Sequence, residues 1–243
     1  MIKYLVMQLL LTFDVEPDYT TGDADPYRHL SKFFKNVMPT LIKKEIPAIL
    51  FITNNVVKQF TEDILQFTDF FEIGVHTHPN YHEEYNKNNK LSKYPYEVQF
   101  KMIKKDYDLI ATHTGKKPKL FRAGKFAANE DTLRVLRDIG IQIDSSLTVP
   151  YVFRFKALSK RPWRAFVENN LIRIPVLAVD MGSFDLYFSL KNIWIDILDG
   201  AATCCICLHS WFASRYNNFD TKKHRFISLS QFLENERLLP IEK

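Results

Sequence analysis

Apolar positions along the chain change period repeatedly. Residues 4–13, "YLVMQLLLTF", form a nearly unbroken apolar run, as in a strand buried on both faces. Leu30, Phe33, Phe34, Val37, Met38 and Leu41 then recur at three- and four-residue spacing, which predicts a helix with one buried stripe. "PAILFIT" (47–53) predicts a second strand, "NNVVKQFTEDILQF" a helix with a polar start, and "FEIGVH" (71–76) a third strand. A polar stretch over 80–95 reads as a loop, after which Phe100, Ile103, Tyr107 and Ile110 share one face of a helix closed by "HTGKKP".

Strands four and five are "KLFRAG" (119–124) and "IQID" (141–144). Between them, "NEDTLRVLRDIG" is a helix with Asn129 as N-cap, acids in its first turn and Gly140 past its end. Residues 147–170 carry Pro150 and Pro162 without a clean period and read as an excursion from the core. Within them, Tyr151, Phe153, Phe155, Arg161 and Trp163 suit either a sugar-stacking flap or a packed apolar excursion. "LIRIPVLAVD" (171–180) resumes as strand six, "LKNIWIDILDG" as helix, "AATCCICLH" (201–209) as strand seven and "LSQFLENERLL" as a closing helix. About seven strand–helix alternations without an internal repeat imply α/β architecture: a parallel sheet with helices outside, closed or nearly closed as a (β/α) barrel.

No Pro/Gly/Ser-rich linker divides the 243 residues, so residues 1–243 are expected to form one domain. The net charge of +5 is spread over pairs such as Lys43–Lys44 and Lys116–Lys117 near predicted helix ends, and no basic block argues for nucleic acid. The opening apolar run contains Gln8, lacks a small-residue cleavage site and is shorter than the roughly 20 residues a bilayer span needs. No transmembrane segment and a cytoplasmic location are therefore expected. Cys204, Cys205 and Cys207 sit on one apolar strand and argue against a disulfide framework. Cys205, Cys207 and His209 share a face of that strand, which admits a Cys/His ion site, although buried cysteine usually serves as a small apolar residue.

In a barrel, chemistry collects at the C-terminal ends of strands. Those ends carry Asp14 and Glu16, His76 and His78, Arg122, Asp144, Asp180 and His209. Asp14 and Glu16 stand at i and i+2 and point to the same side; they are either a base and a metal ligand or solvated turn acids. His76, His78 and His82 are three of the seven histidines and crowd one loop. Two neutral imidazoles and a carboxylate suit a first-row divalent ion with room for water and substrate. His209 ends an apolar strand, where a buried imidazole needs a partner that Asp180 can supply.

In order, "LTFDVE", "EIGVHTHPN", "FRAGKF", "IPVLAVD" and "LHSW" resemble the five motifs of the polysaccharide deacetylases, the NodB-homology domain of carbohydrate esterase family four, over residues 11 to about 212. The resemblance implies a distorted (β/α) barrel of about seven parallel strands and removal of an acetyl group from an N-acetylated sugar. It implies Asp14 as general base, Arg122 as the arginine orienting it, His209 as general acid and Asp180 as the acid tuning that histidine. Glu16 and His76 become metal ligands, the ion being divalent with zinc the first choice. Leu208 would line an acetyl pocket, with Trp211 and Asn80 on the substrate side. The commonest first motif has adjacent acids where this chain has Asp14 and Val15, so Glu16 must compensate. The commonest second motif puts its second histidine where this chain has Asn80. His78 is then the nearest third ligand, with Asn80 and His82 as rivals.

The expected function is that of a metal-dependent hydrolase acting on an N-acetylated amino sugar of a surface polysaccharide or its precursor. A deformylase of nucleotide- or lipid-linked sugars and a metal-free carbohydrate-binding relative are the alternatives.

Overall fold

A computed structural model describes residues 7–18, 24–85, 90–148, 164–179, 203–213, 219 and 224–238. The helix expected at 190–200, the aromatic stretch 151–163 and Asp180 lie outside the described residues.

Strand β1 (Met7–Val15) lies inside the sheet, with a neighbouring strand on either side. On one side follow β2 (Ala48–Ile52), β3 (Glu72–Thr77), β4 (Leu120–Ala123) and β5 (Ile143–Asp144), all parallel. The sequence-predicted sixth strand is observed as two pieces, β7 (Leu171–Arg173) beside β5 and β8 (Val176–Val179) beside β9 (Thr203–His209). Ile174 and Pro175 separate them, and proline offers no N–H to a ladder. The Val176 N–H donates to the Leu147 carbonyl at 2.7 Å while Val176 also pairs with Cys205, so this segment bridges the two ends of the sheet. Since β9 also pairs with β1, the mostly parallel sheet curls into a distorted barrel.

Two strands were not anticipated. β6 (Phe166–Glu168) lies antiparallel to β7 inside the expected excursion, turned by Asn169 and Asn170, both at positive φ. Asparagine tolerates that region, so Asn-Asn between short apolar runs was the available hairpin signal. β10 (His224–Phe226) pairs parallel with Met7–Leu9 and is too short to show a period.

Helices cover the outside: α1 (Arg28–Lys32) and α2 (Met38–Lys43) joined by a π-helical turn over Phe33–Val37, then α3 (Asn54–Gln59), α4 (Thr61–Leu65), α5 (Tyr96–Thr114) and α6 (Glu130–Ile139). The shorter α7 (Ser210–Ala213) and α8 (Leu229–Asn235) follow. The single helix expected over 54–67 is therefore two, and the expected loop over 80–95 buries His82 and Leu91. Among the described residues no helix is long and apolar enough to cross a membrane.

Alternation along β1 divides the interior in two. Leu9, Leu11, Phe13 and Val15 pack with Phe33, Phe34 and Met38 in an outer core, whereas Leu10 joins Ile49, Phe51, Leu120, Ile143, Cys205 and Cys207 inside the barrel. Gly74 makes room there for Phe51, whose ring would lie 2.7 Å from a Cβ at that position. The same period-two logic carries Asp14, His76, Arg122 and His209 to the inner side, directly above this apolar plug.

Candidate metal centre

Arg122, on β4, is wholly buried. Its Nη1 donates to Asp14 Oδ1 at 2.6 Å, its Nη2 to Thr12 Oγ1 and Ser145 Oγ at 2.9 Å each, and its Nε to the Ser145 carbonyl at 3.1 Å. The guanidinium also lies over the Phe51 ring, 4.2 Å from its centroid. Burial alone would push the Asp14 carboxyl up, but Arg122, His76 and His209 outweigh it and hold Asp14 well below the usual carboxylate range. Burial opposes the charge on Arg122 too, and Asp14 reverses the effect, raising it above its ordinary value. Arg122 thus favours the ionised form of Asp14 and holds one of its oxygens.

His76 and His78 stand at i and i+2, and the extended backbone of His78 (φ −118°, ψ 126°) continues the strand, so both rings face the same side. His76 Nδ1 donates to the Arg122 carbonyl at 2.9 Å, which fixes the ring and turns Nε2 toward the cluster. Among the described residues that buried Nε2 has no hydrogen-bond partner, and it lies 3.8 Å from both Asp14 Oδ2 and Glu16 Oε2. His78 Nε2 lies 3.2 Å from the same Glu16 oxygen, which also accepts from Tyr81 Oη at 2.9 Å. Burial, with a further contribution from His76, drives the His78 imidazole well below its ordinary value. Burial raises the Glu16 carboxyl.

One donor atom from each of Glu16, His76 and His78 lies within 4.8 Å of the others. An imidazole nitrogen without a hydrogen-bond partner, a second imidazole whose protonation burial opposes, and a carboxylate, all buried, fit a divalent cation better than they fit one another. The cluster depends on Gly124, because a Cβ there would stand 2.2 Å from the His78 ring.

His209 approaches from β9, its Nε2 3.8 Å from Glu16 Oε1, and its ring stacks on Trp211 at 4.4 Å between centroids. Asn80 lies half-buried on the turn Pro79–Tyr81, where its Oδ1 finds no hydrogen-bond partner. The rival His82 is turned away toward Asp106 on α5, at 3.2 Å. Leu208 alternates to the opposite side from His209 and is buried in the outer core, so the structure does not bring it to the cluster. Asp144 is also absent from the rim: it pairs with Arg173, whose Nε is 2.8 Å from its Oδ2, and accepts from Ser146. The cysteines are buried and form no disulfide among the described residues, burial raises the Cys204 and Cys205 thiols, and among the described residues no cysteine belongs to an ion-binding group.

Two contributors escaped the sequence reading. Tyr81 anchors Glu16 across 65 residues, and His29 places its Nε2 3.1 Å from the Glu16 carbonyl and 3.0 Å from Ser210 Oγ, tying β1 to α7. Tyr81 sits within the histidine-rich loop, which was the available signal; His29 carried none beyond being a lone imidazole on a helix.

Comparison with known proteins adds to this geometry. The family model described as "Polysaccharide deacetylase" matches residues 7–143, more than half of the chain. Among solved structures, a presumed polysaccharide deacetylase of Mycobacterium smegmatis superposes with a TM-score of 0.62 at 16% identity, covering 97% of this chain and 91% of that one. The peptidoglycan deacetylase PdaC of Bacillus subtilis gives 0.55 at 14% identity over 97% and 94%. BA3943 of Bacillus anthracis, a CE4 family pseudoenzyme, gives 0.55 at 10% over 95% and 66%. At such identities these likenesses show the shared fold. No curated protein matches the sequence.

Proposed function

Because the chain belongs to the polysaccharide deacetylase family, we propose that it is a metal-dependent hydrolase that removes the N-acetyl group from an amino sugar of a surface polysaccharide or its precursor. The observation that carries this reading is the buried convergence of Glu16, His76 and His78, with an orphaned His76 Nε2, beside the Arg122-paired Asp14.

Glu16, His76 and His78 would hold the ion, with zinc the first choice for this donor set. When bound, such an ion polarises a carbonyl and lowers the pKa of water. The protein's own groups do the rest. Asp14, kept ionised by Arg122, accepts a proton from the attacking water through Oδ2, the oxygen not bonded to Arg122, as the water oxygen bonds to the amide carbon. His209, held flat by Trp211, faces Asp14 across the β1–β9 pairing, where it can give a proton to the amide nitrogen as the C–N bond breaks. The products are acetate and a free amino sugar. Trp211 offers an apolar face to a sugar ring.

The test is acetate release from N-acetylated chito-oligosaccharides by protein loaded with Zn2+. Chelation should abolish release, and Asp14→Asn should lower it by about 100-fold or more. Folded protein that takes up no divalent ion would overturn the reading. It would favour a metal-free carbohydrate-binding role, the alternative that Val15 supports, since it is buried in the outer core where the commonest motif has a second acid.

A further inference from the structure

The polar residues of the histidine loop that face away from the cluster converge on Asp106. This residue lies on α5 and is 1% exposed, yet its carboxylate accepts three hydrogen bonds: from Thr77 Oγ1 at 2.7 Å, Asn54 Nδ2 at 2.8 Å and His82 Nε2 at 3.2 Å. Thr77 is the residue between His76 and His78, turned outward by strand alternation. His82 follows the turn Pro79–Tyr81. Asn54 also reaches the Tyr81 carbonyl at 3.4 Å. One buried carboxylate therefore grips the loop at both ends of the span that carries His78 and Tyr81, the two side chains that meet Glu16.

Apolar contact already secures α5 against the sheet, through Met102, Ile103 and Ile110 in the outer core. The polar cluster is a costly addition to that contact, because burying a carboxylate requires every donor in place. All its donors come from the histidine loop or from Asn54 at the start of α3. The cluster lies beside the place where the chain departs from the usual second motif: Asn80 stands at the place of the later histidine, the nearby imidazole is that of His78, and Thr77 and His82, on either side of it, are the residues tied to Asp106.

We propose that Asp106, with Asn54 and His82, is a positioning residue for the ion site, setting His78 and Tyr81 against Glu16 from outside the barrel. The proposal rests on Glu16, His76 and His78 being the ligands. It predicts that loosening the tie weakens ion binding through geometry, as outer partners of ligands do in metal sites generally.

Its test measures Zn2+ affinity by chelator competition, and the visible spectrum of the Co2+-loaded protein, for the wild type, Asp106→Asn, Thr77→Val and the control Asn129→Ala on α6. Thr77→Val keeps the side chain's shape and removes one donor, so it decides the matter if Asp106→Asn does not fold. Both loop variants should bind Zn2+ about tenfold or more weakly and shift the Co2+ spectrum, while the control leaves both unchanged. Affinities and spectra in folded loop variants equal to the wild type's would overturn the proposal. An equal loss in the control would also overturn it, since general destabilisation would then explain the effect. A wild type that binds neither ion would instead sink the ligand assignment beneath it.

Discussion

A methyl group added at position 124 would meet the His78 ring at 2.2–2.3 Å, closer than any real contact. Backbone and ring cannot both stay, and the ring is the movable partner. Gly124→Ala should therefore keep the fold, judged by circular dichroism, while lowering Zn2+ affinity by about tenfold or more; unchanged affinity would mean that His78 is not a ligand. Arg122 makes a different prediction. Removing the guanidinium leaves Asp14 buried and charged without its partner, so Arg122→Met should cost about 3–5 kcal/mol in urea unfolding. Adding Asp14→Asn to that variant should recover part of the loss, because the pair acts as a unit. These residues were legible in the sequence because each stands at the end of an apolar strand, where alternation fixes its side. Tyr81, His29 and Asp106 were not, since each acts through contacts 13 to 181 residues away with no pattern of its own.

At the scale of elements, α6 shows what local sequence decides. Asn129 Oδ1 accepts from the Thr132 N–H and Thr132 Oγ1 accepts from the Asn129 N–H, a reciprocal box, and Gly140 closes the helix at φ 84°. Asn129 also donates to the Ser92 carbonyl and accepts from the buried Gln99. Asn129→Ala should then cost about 2 kcal/mol, the upper part of the range for caps, measured as a lower urea midpoint with an unchanged slope. Cap, acids and terminal glycine were all readable because they lie within one short segment. The sixth strand was read as a single piece because its apolar run is continuous, and its division depends on which neighbour each half finds. Pro175 was visible, but its consequence is set by β5 and β9, which lie far away in sequence.

The whole molecule brings together what no segment holds alone. Glu16 follows β1 and the two histidines end β3, with β2 lying between these strands. An ion held by all three side chains therefore cross-links two non-adjacent strand ends that exist near one another only in the folded barrel. Whatever binds the native state and not the unfolded chain stabilises it by mass action, about 2.7 kcal/mol at a ligand concentration 100 times Kd. For a domain of this size each kcal/mol moves the melting temperature by about 2–4 °C, so saturating Zn2+ should raise Tm by about 5–10 °C. A chelator should reverse the rise. His76→Ala removes the orphaned nitrogen and should abolish most of it, whereas His82→Gln, which alters a histidine of the same loop directed toward Asp106, should retain a clear part of it. An equal rise in wild type and His76→Ala, read by scanning calorimetry, would show that zinc binds elsewhere on the chain and that the two strand ends are not joined through it.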